Sequence, residues 1–247
     1  MQKICIFDKL PSTNLYAKEF ITSDSFSQLS PSDMAFLAYD QSQGVGKLGK
    51  SWQSDPGNLH LTLALSSLNK NIQPQNYSII SLITSLAVRE TLKRYLDKEI
   101  SIRCKWPNDI LINQEKICGI LLETEQTKKG LEYLIIGVGV NLLKSPQIMN
   151  YKTTNLYELM GEKVPPLNFA YALLEIFNSL LLRLSNDRNF IIHSWQQGAY
   201  LLNQEVLIKV GESTKKGVFK GISQEGYLIM DTGKGLTNIS AGEIFKL

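Results

Sequence analysis

The sequence predicts an α+β protein in two parts, a larger region of alternating strands and helices and a small β-barrel behind it. Interleaving is the first sign. Across residues 1–200, apolar runs of strand length alternate with stretches whose apolar residues recur at helical spacing. A change of texture is the second sign. From Leu201 onward, short β-type segments at 206–210, 216–222, 227–230 and 236–239 succeed one another, parted by glycines and polar turns. The expected division is therefore a main domain over 1–200 and a small domain over 201–247.

Residues 3–7 form a first apolar run of strand length, and Ser12-Thr13-Asn14 supplies cap-type side chains for a short helix through Phe20. A second strand is expected at 34–38. The polar segment 41–57 holds Gly44, Gly46, Gly49 and Gly57 and reads as a long loop. Leu59, Leu61, Leu63 and Leu65 alternate, which is strand periodicity, whereas Ile79, Leu82, Ile83, Leu86 and Ala87 predict a helix over 77–96. Pro107 cannot donate to a central ladder and disfavours a helix, so Trp106, Asn108 and Asp109 belong at a strand end. The run 110–112, a polar turn at 113–115 and the run 117–122 then predict a hairpin. A strand at 131–140 and helices at 167–184 and 188–200 complete the larger part.

Over 247 residues, 43% hydrophobic and 20% charged content suits a folded protein with a sizeable core. A net charge of +3, with its basic residues scattered, gives no argument for nucleic acid. Cys5, Cys104 and Cys118 are odd in number and lie in apolar, strand-like runs, as reduced core thiols of a cytoplasmic protein would. The N-terminal run is too short for a signal peptide, and no stretch is expected to span a membrane. His60 and His193 lack partners at metal-ligand spacing, and no serine occupies a nucleophile elbow. Both histidines therefore read as structural, and the chemistry rests on lysines, carboxylates and amides, with room for a loosely held metal.

Candidate chemistry gathers in a few segments. The hairpin carries Lys105, Asp109 and Lys116, a set that suits an anionic, phosphate-bearing substrate with a divalent metal; solvated turn charges would explain it equally. Glycines in 44–52 let backbone amides approach an anion that Lys47 and Lys50 could neutralise, although the spacing is not that of a Walker loop and a plain surface loop is the alternative. Gly137 and Gly139 weaken a strand unless something lies close on it, either a flat ligand or a tightly packed helix.

Taken in order, Ser12-Thr13-Asn14, Gln41 with 44–52, Lys105-Trp106-Pro107-Asn108-Asp109 with Lys116 and Gly119, Gly137-Val138-Gly139-Val140-Asn141, and Ser240-Ala241-Gly242-Glu243 with Gly217 to Gly221 form a set. That set resembles the motifs of biotin protein ligases, which activate biotin with ATP and attach it to a lysine of a carrier domain. The resemblance spans nearly the whole chain. It implies a mixed sheet flanked by helices, of the class II synthetase type, followed by an SH3-like barrel.

By the same resemblance, Lys47, Lys50, Lys105 and Lys116 surround the biotin carboxylate and the phosphate as the catalytic set. Ser12, Thr13, Asn14 and Gln41 are implied at the ureido ring, and Gly44, Gly46, Trp52, Gly119, Gly137 and Gly139 along the rest of biotin, with Lys116 at its carboxylate. ATP contacts are implied for Lys47, Lys50, Trp52, Lys105, Asn108, Asp109 and Asn141, with Asp109 also holding Mg²⁺. The implied partners are biotin, ATP and the biotin carboxyl carrier domain of acetyl-CoA carboxylase or a related carboxylase; a homodimer is compatible with the family. Ser12 stands so near the N-terminus that no room is left for the DNA-binding domain some members carry, so DNA is not expected, nor is a membrane. A lipoate ligase shares the fold and the acyl-adenylate strategy, but Ser12-Thr13-Asn14 and Gln41 favour a ureido ring. A non-catalytic binding module is disfavoured by the retained Lys105, Asp109 and Lys116. The chain also departs from the pattern. Val45, Lys47 and Lys50 stand where the family usually has arginines, so the bidentate fork is lost, and either weaker adenylate retention or greater reliance on backbone amides is expected. Residues 142–160 contain Tyr151 and Tyr157 but no tryptophan, and Lys246 is the one basic residue after Glu243.

Overall fold

Alternation along β3 (Leu59–Ser66) divides the larger domain into two faces. The computed structural model describes residues 3–27, 32–147 and 151–247, with Leu48 described by its backbone alone. Leu59, Leu61, Leu63 and Leu65 enter the main core, whereas Ala64 belongs to a second, smaller cluster on the opposite face. The sheet is completed by β1 (Lys3–Leu10), β2 (Met34–Gln41), β4 (Ile102–Lys105), β5 (Asp109–Ile112), β6 (Glu115–Gln126) and β7 (Glu132–Val140). Its order is β1-β2-β3-β7-β6-β5-β4, with β1 parallel to β2 and every other pair antiparallel. It is a mixed sheet, as expected.

Helices α3 (Tyr77–Leu92), α5 (Pro166–Leu184) and α6 (Arg188–Gln197) cover the leucine face, while α1 (Thr13–Thr22) and α2 (Asp24–Ser27) lie on the other. A short α4 (Leu156–Met160) comes after β7. The smaller sheet contains β8 (Glu205–Val210), β9 (Ser213–Ile222), β10 (Leu228–Asp231), β11 (Leu236–Ile239) and β12 (Glu243–Lys246), in the antiparallel order β11-β10-β9-β8-β12. Its Val206, Ile208, Phe219 and Ile244 are buried in the main core cluster, so the two sheets share apolar packing.

Some sequence expectations require correction. The helix predicted over 77–96 ends at Leu92, because the backbone tightens into turns in which Arg94 and Tyr95 donate to carbonyls three residues back. Leu96 remains buried, so apolar spacing outlasts the helix. The helix predicted over 188–200 ends at Gln197, and the edge of β4 captures the next residues: Cys104 donates to Gly198 and Tyr200 donates to Cys104, at 2.8 Å each. By length and composition, the 19-residue α5 is apolar enough to cross a membrane, contrary to the expectation that no stretch would be. Here it is a core helix, burying Phe169, Leu173, Phe177 and Leu181 against α3 and β3. Short β4, α4 and β12 have too few residues for a readable period. Burial pushes the Cys104 thiol up to about 12, in keeping with an inert core thiol.

Candidate active site

A row of paired residues crosses the sheet. Ala38 pairs with His60, His60 with Gly139, Gly139 with Gly119, Gly119 with Asp109, and Asp109 with Lys105. Directly opposed residues share a face, so this row forms a trough whose middle is two glycines and whose far end is charged. In the next row, Thr62 pairs with Gly137. Close approach is what these glycines permit. A Cβ on Gly139 would meet the Trp52 indole at 2.5 Å, one on Gly119 would meet it at 2.8 Å, and one on Gly137 would strike Asn14 Oδ1. Helix packing accounts for Gly137, where α1 lies over the glycine, while over Gly119 and Gly139 the close neighbour is the protein's own Trp52 ring.

Side chains from α1 and β2 build one end of the trough. Ser12 caps α1, and the Thr13 backbone N–H and hydroxyl both donate to Gln41 Oε1, at 2.7 and 3.0 Å. Thr62 Oγ1 lies 2.6 Å from Asn14 Oδ1, to which it donates, and 2.8 Å from Thr13 Oγ1. Asn14 Nδ2 donates in turn to Glu123, which also pairs with Lys18. Gln41 Nε2 reaches Ser54 Oγ at 2.9 Å, tying the sheet to the loop. Such a closed network holds its donors and acceptors in fixed directions. Thr62, Ser54 and Glu123 were not singled out from sequence. Thr62 had a signal, a polar residue on the face of β3 opposite the four leucines.

A β-bulge builds the other end. Between β5 and β6 the register shifts after Ile110, so Ile110 pairs with Cys118 but Leu111 pairs with Lys116. The extra residue sends both Ile117 and Cys118 into the core and turns Lys116 onto the trough face, the re-aiming that bulges accomplish. The Lys116 Nζ sits 2.8 Å from Asp109 Oδ1, with the Trp52 ring centroid at 5.7 Å and that of Tyr151 at 5.6 Å. Residues 152–154 bring Tyr151 there, since Lys116 N–H donates to Lys152 and Thr154 N–H donates to Lys116. Burial opposes the Lys116 charge, yet Asp109 outweighs it and holds the ammonium above the usual lysine range. The type I′-like turn at Asn113 and Gln114, with φ of 49° and 71°, closes this hairpin.

The remaining predicted residues fall into groups. Trp52 and Gly44 pair within the loop, as do Gly46 and Lys50, around a 3-10 turn at Lys47–Gly49. Lys47 is exposed, but crowding lowers its pKa against the opposing pull of Asp109 and Glu243. Lys50 is exposed as well. Lys105 turns towards the smaller domain, 3.9 Å from Glu243 and 5.3 Å from the Phe245 ring. Asn108 and Ile120 exchange hydrogen bonds, which occupies the Asn108 amide in the hairpin. Asn141 is buried and donates to Thr154, while its Oδ1 has no partner among the described residues. Tyr157 is exposed on α4, and Lys246 on β12.

Comparison with known proteins gives the geometry its context. Residues 6–141 match the biotin/lipoate A/B protein ligase family, and residues 201–247 match the biotin protein ligase C-terminal domain. A biotin–[acetyl-CoA-carboxylase] ligase of Paracoccus denitrificans is 30% identical over 85% of this chain and 88% of its own. The bifunctional ligase/repressor BirA of Bacillus subtilis is 26% identical over 98% of this chain and 74% of its own. Among solved structures, a biotin protein ligase from Aquifex aeolicus in complex with biotin and ATP superposes with a TM-score of 0.78 at 25% identity, covering 99% of this chain and 98% of that one. The chain belongs to the biotin/lipoate A/B protein ligase family.

Proposed function

We propose that the protein activates biotin with ATP as biotinyl-5′-AMP and transfers the biotinyl group to a lysine of a biotin carboxyl carrier domain. One observation carries this reading: a half-buried ammonium, Lys116, stands at one end of a glycine-floored trough whose other end is a fixed hydrogen-bonding network. Thr13, Gln41 and Thr62 offer donors and acceptors to a ureido ring. Trp52 and the glycines enclose an apolar body, and Lys116 faces the carboxylate. An oxygen of that carboxylate attacks the α-phosphorus, the bond to the bridging oxygen breaks, and pyrophosphate leaves. Both reactants are anions, so Lys116, Lys47, Lys50 and Lys105 lower their repulsion and stabilise charge on the phosphoryl oxygens. A carrier lysine amine then attacks the acyl carbon and AMP departs with the electron pair. Seating the loop 44–55 over the adenylate keeps water from attacking first.

Magnesium would enter with the nucleotide. Among the described residues no group of three or more His, Cys, Asp or Glu is placed to hold an ion, and Asp109 Oδ1 is engaged by Lys116. Asp109 fits as a single carboxylate beside phosphate oxygens, where a hard cation neutralises phosphate charge. Asn108, bonded to Ile120, and Asn141, bonded to Ile117, flank β6 and are assigned to the nucleotide side in this reading. Three unpaired thiols support a reducing, cytoplasmic setting. Pyrophosphate release from ATP tests the assignment. Release with biotin and not lipoate is expected; release with lipoate alone would replace biotin as the substrate.

A further inference from the structure

His60 is the trough residue that this chemistry leaves unused. It is 1% exposed, and neither ring nitrogen makes a well-formed hydrogen bond among the described residues, the Ala38 backbone being the acceptor near the ring. Its row places it on the trough face, between Ala38 and Gly139, beside the glycine that carries the Trp52 indole. A buried imidazole must keep at least one N–H, and leaving it unpaired is unfavourable. The charged groups that face it are Asp40, from β2, and Asp55, from the loop, while β7 presents Gly139 and no charge. Asp40 is already held by Lys9 at 2.8 Å. The two carboxylates and the nearby Ala38 carbonyl favour an imidazolium; burial outweighs them and lowers the ring below the usual histidine range.

We infer that His60 is a positioning residue that links biotin capture to release of a proton, the neutral ring letting Trp52 and the 52–55 segment seat on the sheet and the imidazolium holding them off. This rests on the biotin reading of the trough. Lifting the loop would open His60 to water and relieve the burial that opposes its charge. With the loop seated, its charge is stranded in an apolar enclosure. A ligand that needs Trp52 over the glycines, and Ser54 against Gln41, selects the seated form and expels the proton to solvent.

Calorimetric titration of the full chain with biotin between pH 5.5 and 8, in buffers of different ionisation enthalpy, reads this linkage directly. The chain has only two histidines, and His193 sits on α6 against Gln197. Proton release should grow as pH falls, and affinity should drop by up to about tenfold per pH unit below the histidine range. His60→Gln should abolish both trends, and His193→Gln should keep them. A merely structural role would shift melting of the ligand-free protein without changing the proton count on binding. Binding without proton release in the unaltered chain overturns the inference alone, as does linkage that disappears in His193→Gln or survives in His60→Gln. Because the proton count needs only the unaltered chain and the His193 variant, a misfolded His60→Gln leaves the test decisive. No biotin binding at any pH overturns the biotin reading and the inference with it.

Discussion

The two faces of the seven-stranded sheet use the same strands for opposite ends. On one face, Leu59, Leu61, Leu63 and Leu65 meet α3 and α5 in a continuous apolar core. On the other, the same β3 presents His60 and Thr62 beside Gly137 and Gly139, and a row of side chains gives way to a trough. The difference teaches where stability and chemistry reside. Apolar burial stabilises the first face, whereas the second holds polar groups, close backbone approach and a half-buried ammonium that a better-packed surface would not tolerate.

Substitutions on the two faces should therefore separate activity from stability. Lys116→Ala should cut adenylate formation by about two to three orders of magnitude, as loss of an oxyanion-type stabiliser does, while circular dichroism stays native. Unchanged turnover in that variant would falsify its role. On the opposite face, Leu61→Ala should lower unfolding free energy by about 2–5 kcal/mol, measured by urea denaturation, and leave the KM for biotin of the remaining folded enzyme unaltered. Gly139→Val should disturb the trough, because a Cβ there meets the Trp52 indole at 2.5 Å. Displacing Trp52 should raise the KM for biotin by about ten- to a hundredfold, equivalent to about 1.4–2.8 kcal/mol of binding, and overpacking should also lower unfolding free energy by about 1–3 kcal/mol.

Alkaline titration sharpens the contrast within the trough. Asp109 raises the folded pKa of Lys116 above its unfolded value, so the stabilisation from this pair is complete below about pH 10.4 and is lost as pH rises through the folded value. Lys47 shifts the other way and loses its charge first. Activity should fall in two steps, and Lys47→Arg should remove the earlier one from a pH–rate profile. The smallest effect is expected for Lys47→Gly, a few-fold rise in biotin label on lysines outside the carrier, read by peptide mass spectrometry, as the adenylate escapes.

Much of this was legible in the residues. Alternating leucines marked the core face of β3, and Pro107 placed Trp106 and Asp109 at strand ends, where β4 stops and β5 begins. Trp52, Gly119 and Gly139 converge although they come from separate segments, because antiparallel register alone brings the glycines side by side. The bulge was not legible. Strict alternation from Gly119 would have put Ile117 in the trough and Lys116 in the core, and no composition rule reports one extra residue in a ladder. Thr62 was passed over for a related reason, since a polar residue between leucines reads as solvent-facing until the cover above it is known; His60 was read as structural because it has no partner at metal-ligand spacing. Lys105 shows the limit of motif spacing as well: it meets Glu243 and Phe245 of the smaller domain, a contact set by tertiary packing.

The central claim is that the trough between Thr62 and Lys116 is where biotin becomes an acyl adenylate. Intact-mass measurement of a biotin carboxyl carrier domain, incubated with ATP, biotin and either the unaltered chain or Lys116→Ala, tests it most directly. One biotinyl adduct on a single carrier lysine with the unaltered chain, and almost none with the folded variant, is the predicted result. No adduct with the unaltered chain, or equal labelling by both, would contradict it.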